Sequence, residues 1–354
     1  METTTQTVGC DVGDQHTQVC VLDGDARVVE RARLRTSRAG LRKWFVGRAR
    51  SVVVIEAGTH SRWIAEELES AKHEVIVANP RQVRLIYAGR KKNDRHDAET
   101  LARLARADRQ LLSPIQHRSA EAQADLSVLR SRNALVEART TLINHVRGVA
   151  KSNGAALSKC ATTVFPRRAR PALPDTLRGA IEPVLATIEH INAQIAAFDK
   201  QLEAQVEKSP GGQVLATISG VGALTAMAFV LTLEDPSRFR RSRDVGAYLG
   251  LVPKQRQSGD SDPQLRITKA GDGLVRKLLV QCAHHILGPF GVDSDLRRYG
   301  LRLAERGGKS AKKKAVIAVA RKLSVLMHRM WVTGEVYEPL RHGAASTRTE
   351  MAAA

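Results

Sequence analysis

Residues 6–32 alternate apolar and polar side chains in three stretches rich in β-formers, Thr7–Val12, Thr17–Leu22 and Val28–Arg33. The turn sequences Gly13-Asp14-Gln15-His16 and Asp23-Gly24-Asp25 separate them. Short strands joined by tight turns pair antiparallel, so this stretch is read as a three-stranded meander. The pattern then changes. Ser51–Ile55 is a continuous apolar run, as a strand covered on both faces requires. Helical stretches near 37–47 and 61–71 bracket it, and the strand Glu74–Ala78 follows. A helix near 80–88, the basic loop Gly89-Arg90-Lys91-Lys92-Asn93 and a helix from Asp94 to Ala107 complete the segment.

Three strands, helix, strand, helix, strand, helix is the order of the ribonuclease H-like fold, a mixed sheet with helices on its faces, expected here for residues 1–113. Beyond it, Leu126, Leu129, Leu135, Leu142, Ile143 and Val146 predict one helix from about Ser119 to Ala150. Leu177, Ile181, Leu185, Ile188, Ile191, Ile195, Phe198 and Leu202 predict another from about Asp175 to Val206, with Pro166, Pro171 and Pro174 breaking the chain between them. Residues 114–208 therefore read as a helical hairpin, packed on its own domain or paired with a second copy as a coiled coil. Ser209-Pro210-Gly211-Gly212 opens a mainly helical domain over 209–340, and a disordered tail is expected over 341–354. Within that domain Ser219-Gly220-Val221-Gly222 lies between two apolar helices, like a helix–hairpin–helix. The fold class is α/β plus all-α.

The chain carries 56 Lys and Arg against 36 Asp and Glu, a formal net charge of +20 over 354 residues. Such a surplus calls for a polyanion, and nucleic acid is the commonest, because each neutralised phosphate releases counterions. A membrane surface fits less well, since the basic residues are not gathered on one amphipathic helix. No apolar run reaches the ~18 residues of a membrane span. The N-terminal residues lack a basic stretch followed by an apolar one, and Cys10, Cys20, Cys160 and Cys282 form no close pair. A cytoplasmic protein without a disulfide framework or Cys-rich zinc module is expected. His60 and His284-His285 read as structural for the same want of spaced partners. Aromatic residues make up only 4%, which disfavours binding by stacking many single-stranded bases.

Half of the surplus charge lies between Lys254 and Lys322, with sixteen basic residues against six acidic ones. Lys254, Arg256, Lys269, Arg276, Lys309, Lys312, Lys313 and Lys314 are the candidate phosphate contacts. Gly220 and Gly222 add a close backbone approach beside a helix N-terminus.

Four acids stand at telling places: Asp11 in the first strand, Glu56 at the end of the central strand, and Asp94 and Asp97 at the head of the last helix. Taken singly, each reads as a solvated turn residue or, for Asp94, a helix N-cap. Taken together in the expected sheet, they converge and repel unless a cation lies between them. Two Mg²⁺ ions ~4 Å apart satisfy such a set and clamp a phosphodiester. The blocks Gly9-Cys10-Asp11-Val12-Gly13, Ile55-Glu56-Ala57-Gly58-Thr59 and Lys92-Asn93-Asp94-Arg95-His96-Asp97-Ala98 resemble those of the DEDD transposases, insertion-sequence recombinases that include the Piv-type DNA invertases. The resemblance implies a RuvC-like N-terminal domain with Asp11, Glu56, Asp94 and Asp97 as its metal-binding catalytic tetrad.

A second set of motifs resembles the C-terminal domain of the same family: Phe239 through Pro253, Gln257-Ser258-Gly259, Thr268-Lys269-Ala270-Gly271 and Arg276-Lys277-Leu278-Leu279. By itself a loop serine before glycine reads as a turn residue. The resemblance implies that Ser258 is a nucleophile forming a covalent phosphoserine link to DNA, in a loop over Gln255–Pro263 whose neighbours include Lys254, Arg256, Arg266 and Lys269. Ser261 is the nearest competitor. The resemblance further implies donor and target DNA as substrates and a guide (bridge) RNA that pairs with both. Strand exchange between two duplexes calls for several active sites, so a homo-dimer or larger homo-oligomer is expected. The alternatives are a structure-selective nuclease acting through metal-bound water, which needs the tetrad without Ser258, and a non-catalytic nucleic-acid-binding protein.

Overall fold

The computed structural model describes residues 6–81, 83, 94–263, 265–308 and 310–341, with the side chains of residues 94 and 95 outside that description. The chain divides into two compact units, Met1–Arg118 and Ser119–Ala354.

The first unit is built on a five-stranded mixed sheet in the order β3-β2-β1-β4-β5. Strands β1 (Thr7–Val12), β2 (His16–Leu22) and β3 (Val28–Arg35) form the antiparallel meander read from the alternation. Its turns use the residues expected of them: Gly13 N–H donates to the His16 carbonyl at 3.1 Å, and the Asp23 carboxylate accepts from the Asp25 and Arg27 N–H groups at 2.9 Å. The edge strand β3 carries Glu30, Arg31, Arg33 and Arg35, charges that discourage pairing with another chain. Strand β4 (Val52–Glu56) lies parallel to β1 on one side and to β5 (Glu74–Ala78) on the other. Both of its faces are covered, which is why its sequence is uniformly apolar.

One face packs Val8, Cys10, Val53 and Ile55 against Leu41 and Phe45 of α1 (Arg38–Phe45) and Ile64 and Leu68 of α2 (Ser61–Ser70). The other packs Val52, Val54 and Ile76 against Leu101 and Ala105 of α3 (Asp94–Ala107). The helix expected at 80–88 and the loop at 89–93 fall largely outside the described residues.

Helix α3 lies so close to β1 that only glycine fits at position 9, where a Cβ would overlap the Ala98 carbonyl oxygen and stand 2.8 Å from the Ala102 nitrogen. Gly9→Ala should therefore destabilise the protein by about 3 kcal/mol or more, since backbone atoms cannot step aside. Gly58→Ala, whose Cβ would meet nothing within 4 Å, is the matched control. Urea unfolding curves of the two variants check this, and equal midpoints would refute the tight contact.

In the second unit, α4 (Ala120–Ser152) and α6 (Asp175–Lys208) form the antiparallel hairpin, with the short α5 (Phe165–Ala169) between them. Ser119 caps α4 by accepting the Ala122 N–H, and Asn153 ends it. The tip closes around its own apolar core of Ile143, Val146, Phe165, Ile181, Leu185 and Ile188. The middle is polar. Arg132 grips the Asp199 carboxylate with two bonds of 2.6 and 3.1 Å, Arg139 donates to Asn192 at 2.8 Å, and Gln205 donates to Asp125 at 2.7 Å.

At the base, Leu126, Leu129 and Leu202 join the core of the region that follows, so the hairpin and that region share one compact unit. That core includes Leu215 of α7 (Pro210–Ala216), Phe229 of α8 (Ala223–Leu233), Val245 of α9 (Asp244–Tyr248) and Leu279 of α10 (Gly273–Leu287). It is completed by Leu296 of α11 (Asp295–Glu305) and by Leu323 and Met327 of α12 (Ala311–Thr333). Among the described residues no helix is long and apolar enough to cross a membrane. The tail beyond 341 lies outside the described residues.

Candidate active site and nucleic-acid interface

The carboxylates are placed by strand register. Strands β1 and β4 pair Gly9 with Val54 and Cys10 with Ile55, and one step further along the same ladder stand Asp11 and Glu56. Side chains alternate along a strand, so Asp11 takes the face of Gly9 and Glu56 the face of Val54. That is the face covered by α3. Asp97 immediately precedes Ala98, the residue whose carbonyl abuts Gly9, and Asp94 opens the helix one turn earlier. Asp11, Glu56 and Asp97 are all half-buried. Among the described residues no three His, Cys, Asp or Glu side chains close around a common point. The described part of the tetrad thus stands at one end of the sheet, and the side chain of Asp94 lies outside the description.

Two neighbours refine this picture. Burial, with the Asp11 charge adding to it, pushes the Cys10 thiol far above the ordinary thiol range, so Cys10 offers no thiolate beside the acids. His60, just past the end of β4, accepts the Trp63 indole N–H on Nδ1 at 3.1 Å. Its Nε2 then carries the proton and faces Asp14 Oδ1 at 3.2 Å.

Ser258 lies within unit 2, in a segment that reads as a plain loop and folds as a ribbon. Lys254 N–H donates to the Arg266 carbonyl and Thr268 N–H to the Val252 carbonyl, each at 2.9 Å. At the far end Ser258 and Ser261 exchange both backbone hydrogen bonds at 3.1 Å across a two-residue turn. Gly259 at φ +54° takes the first central position of that turn, as a type II′ hairpin requires. Ser258 is therefore presented, exposed, at the tip of a hairpin, with Ser261 directly opposite it.

The ribbon's base is clamped. A Cβ on Gly250 would overlap the backbone of Ala270, and one on Gly271 the Tyr248 carbonyl. Arg276 joins the two sides by donating to the carbonyls of Leu249 at 3.0 Å and Ala270 at 2.6 Å. Its guanidinium is thus engaged inside the fold, a role that its place in a basic stretch did not reveal. Arg276→Met should cost about 2 kcal/mol of stability, because two charge-assisted bonds are lost while the carbonyls remain. Lysine should rescue part of the loss, because both bonds leave one nitrogen, Nη1, and an ammonium also carries several donors on one nitrogen. Urea unfolding checks both, and a wild-type midpoint for Arg276→Met would overturn the clamp.

The other cationic candidates spread out. Lys254, Arg256 and Lys269 are exposed along the ribbon or at its base, and Lys312, Lys313 and Lys314 are exposed on the first turn of α12. Lys309 lies outside the described residues. Gly220, at φ +90°, turns the chain between α7 and α8, where a Cβ would stand 3.0 Å from the His285 ring, and exposed Gly222 caps α8.

Known proteins match both halves of the sequence. A transposase family model of the DEDD type matches residues 8–152, and a model described as the transposase IS116/IS110/IS902 family matches residues 212–296. A "Probable family 20 transposase" of Pseudomonas aeruginosa is 32% identical over 288 residues, covering 79% of this chain and 83% of its own. The chain belongs to the IS116/IS110/IS902 transposase family. Within this family, the transposase for insertion sequence element IS1111A of Coxiella burnetii is 26% identical over 342 residues, 93% of this chain and 90% of its own. The "Pilin gene-inverting protein" of Moraxella bovis, 25% identical, covers 78% of each chain. For this transposase the first match takes in all four acids, and the second takes in Gly220, Gly222 and Ser258. Helix α12 lies outside both.

Proposed function

We propose that this transposase cuts and rejoins DNA strands with a carboxylate-held divalent metal site and a serine nucleophile. The observation that carries the reading is the β1–β4 register, which sets Asp11 alongside Glu56 on the face from which α3 brings Asp97. Asp11, Glu56, Asp94 and Asp97 offer only carboxylate oxygens, the donors that Mg²⁺ takes, so the set fits a hard divalent cation. A Mg²⁺ ion held by these carboxylates would polarise a phosphodiester and offset the charge developing on its oxygens.

The chain's own part falls to Ser258. Its Oγ gives up the hydroxyl proton and attacks phosphorus, an Oγ–P bond forms as the bond to one strand oxygen breaks, and the displaced oxygen takes up one proton in exchange. The hairpin tip leaves that hydroxyl open to a phosphate, and the cations along the ribbon favour the charge it acquires. Rejoining reverses the step with a new strand oxygen as nucleophile, and the phosphoserine bond conserves the energy of the one broken. The basic surface that holds DNA would also hold a guide RNA. The long helical hairpin supplies a surface for pairing copies, and a homo-dimer or larger homo-oligomer is proposed.

The test is incubation of the full chain with Mg²⁺, guide RNA and labelled donor and target DNA, followed by denaturation in SDS. A protein–DNA adduct that survives, and that needs the metal to form, is the expected result. Cut DNA without an adduct would favour hydrolysis by water.

A further inference from the structure

A groove of about 1460 Å³ runs across the second unit, bounded by the base of the Ser258 ribbon, by α11 and by one long face of α12. The composition of that α12 face is unusual. Lys313 and Lys314 open it, and Ile317 and Ala318 follow one turn later. Arg321 and Lys322 form the next cationic pair, then Val325 and Leu326, and Arg329 closes the row. Cationic and apolar rungs alternate turn by turn, and like rungs recur every eight residues, about 12 Å along the helix. The Ile317, Ala318, Val325 and Leu326 rungs are only half-buried, while Leu323 and Met327 on the opposite side fill the core. Ile317, Ala318 and Val325 therefore face the groove and stand outside the core, while Leu326 lines the groove and also packs against the core. Arg266 and Lys269 of the ribbon add positive charge across the gap, and only Asp295 and Glu338 among the lining residues are acidic.

We infer that this groove seats an unpaired polynucleotide strand, with its phosphates on the cationic rungs and its bases on the apolar ones. The alternation selects among occupants. A duplex turns its phosphates outward and hides its base faces, so it leaves the apolar rungs wet. A partner helix needs an unbroken apolar stripe, which the Arg321–Lys322 pair interrupts. A single strand presents phosphates and base faces in turn, and matches both kinds of rung. The 4% aromatic content still disfavours stacking, so the bases would rest on the aliphatic rungs by apolar burial alone. Lys322 holds its ammonium 4.0 Å from the centre of the Tyr299 ring, a cation–π contact that covers one face of that ring. The strand so held runs past Arg266 and Lys269 towards the ribbon that carries Ser258. This deepens the reading above by naming the form of nucleic acid gripped, yet it concerns binding and can be measured without any strand being cut.

The test uses fluorescence anisotropy of the full chain with one labelled sequence offered as single-stranded DNA, as single-stranded RNA and as duplex DNA. The two single-stranded arms tell a displaced DNA strand from a guide segment. The wild type is expected to prefer at least one single strand over the duplex. Ile317→Ser/Val325→Ser should weaken that single strand about tenfold and leave duplex affinity within about twofold. Lys313→Ala/Arg321→Ala should weaken it too and flatten its log–log salt dependence by about 1.4 units, two phosphate contacts on a single strand. Because the cationic pair is exposed, the second variant stays informative if the first unfolds, which thermal melts would reveal. Ultraviolet crosslinking of a 4-thiothymidine strand should map to the peptide spanning Ala311–Thr333. Equal binding of duplex and both single strands, crosslinks elsewhere, or a folded apolar-rung variant with unchanged single-strand affinity would each overturn the proposal. So would an apolar-rung variant that changes only the oligomeric state, which would mean that the groove holds protein. Loss of cutting with groove binding intact would instead count against the proposed chemistry, so the two failures are distinguishable.

Discussion

Ser258→Ala is expected to bind nucleic acid as the wild type does and to form no covalent adduct, with strand cutting reduced at least about 10³-fold. The hairpin geometry makes this a clean substitution. Ser258 contributes two backbone hydrogen bonds to the turn, and alanine keeps both. The positive φ belongs to Gly259, so the turn survives. What disappears is the exposed hydroxyl. Ser261 stands across the same turn and is the natural rival, so Ser261→Ala is the necessary companion. It should retain the adduct. Peptide mapping of the wild-type adduct decides between them: a link on Ser261, or full cutting by Ser258→Ala, would sink the assignment. Ser258→Cys should keep at most a trace of activity, because a thiolate is nucleophilic but larger and less suited to a hard metal.

Asp11→Asn is expected to lower cutting by a similar factor while leaving DNA affinity within about twofold. Asparagine fills nearly the same space in β1, so the register with β4 should hold. The change removes one negative charge and one anionic oxygen donor. Mn²⁺ binding, followed by its paramagnetic effect on water relaxation, supplies a readout independent of activity, and it should weaken in Asp11→Asn and Glu56→Gln alike. Wild-type cutting in Mg²⁺, or unchanged Mn²⁺ binding in both variants, would remove the tetrad from the mechanism.

Much of this architecture is legible in sequence because its periods are clean. Residues 7–35 alternate, and the structure pairs them as a meander; Val52–Ile55 does not alternate, and both of its faces are covered. The two long apolar seams likewise announce α4 and α6 to within about two residues at each end.

The ribbon carrying Ser258 is a different matter. Its residues are glycines, serines and aspartates with no β-pattern, and it is held by two isolated bridges, Pro253 with Ile267 and Ser258 with Ser261, while Arg276 and the Gly250–Gly271 contacts clamp its base. The same distance in sequence hides the role of Arg276: its partners are carbonyls of residues 249 and 270, and nothing in a basic stretch distinguishes such a clamp from a phosphate contact. The α12 groove was hidden for another reason. The lysine cluster stood out as charge, and only the packing of Leu323 and Met327 shows which apolar residues after it are left for the other face.

The polar middle of the helical hairpin acts as a length standard. Arg132 faces Asp199 and Arg139 faces Asn192, one heptad apart on both helices. Slide one helix by seven residues in one direction and Asp125 meets Asp199 while Arg139 meets Leu185. Slide it the other way and Arg132 meets Val206 while Asn192 meets Val146. Each slip strands a half-buried charge or amide against hydrocarbon, or sets two carboxylates together, a penalty of about 1–3 kcal/mol where a partner is lost. An all-leucine seam would tolerate any of these registers. This one accepts a single alignment, so the span of about 50 Å from base to tip is written in the order of its side chains. Evolution can lengthen or shorten that span only by inserting or deleting matched segments in both helices at once.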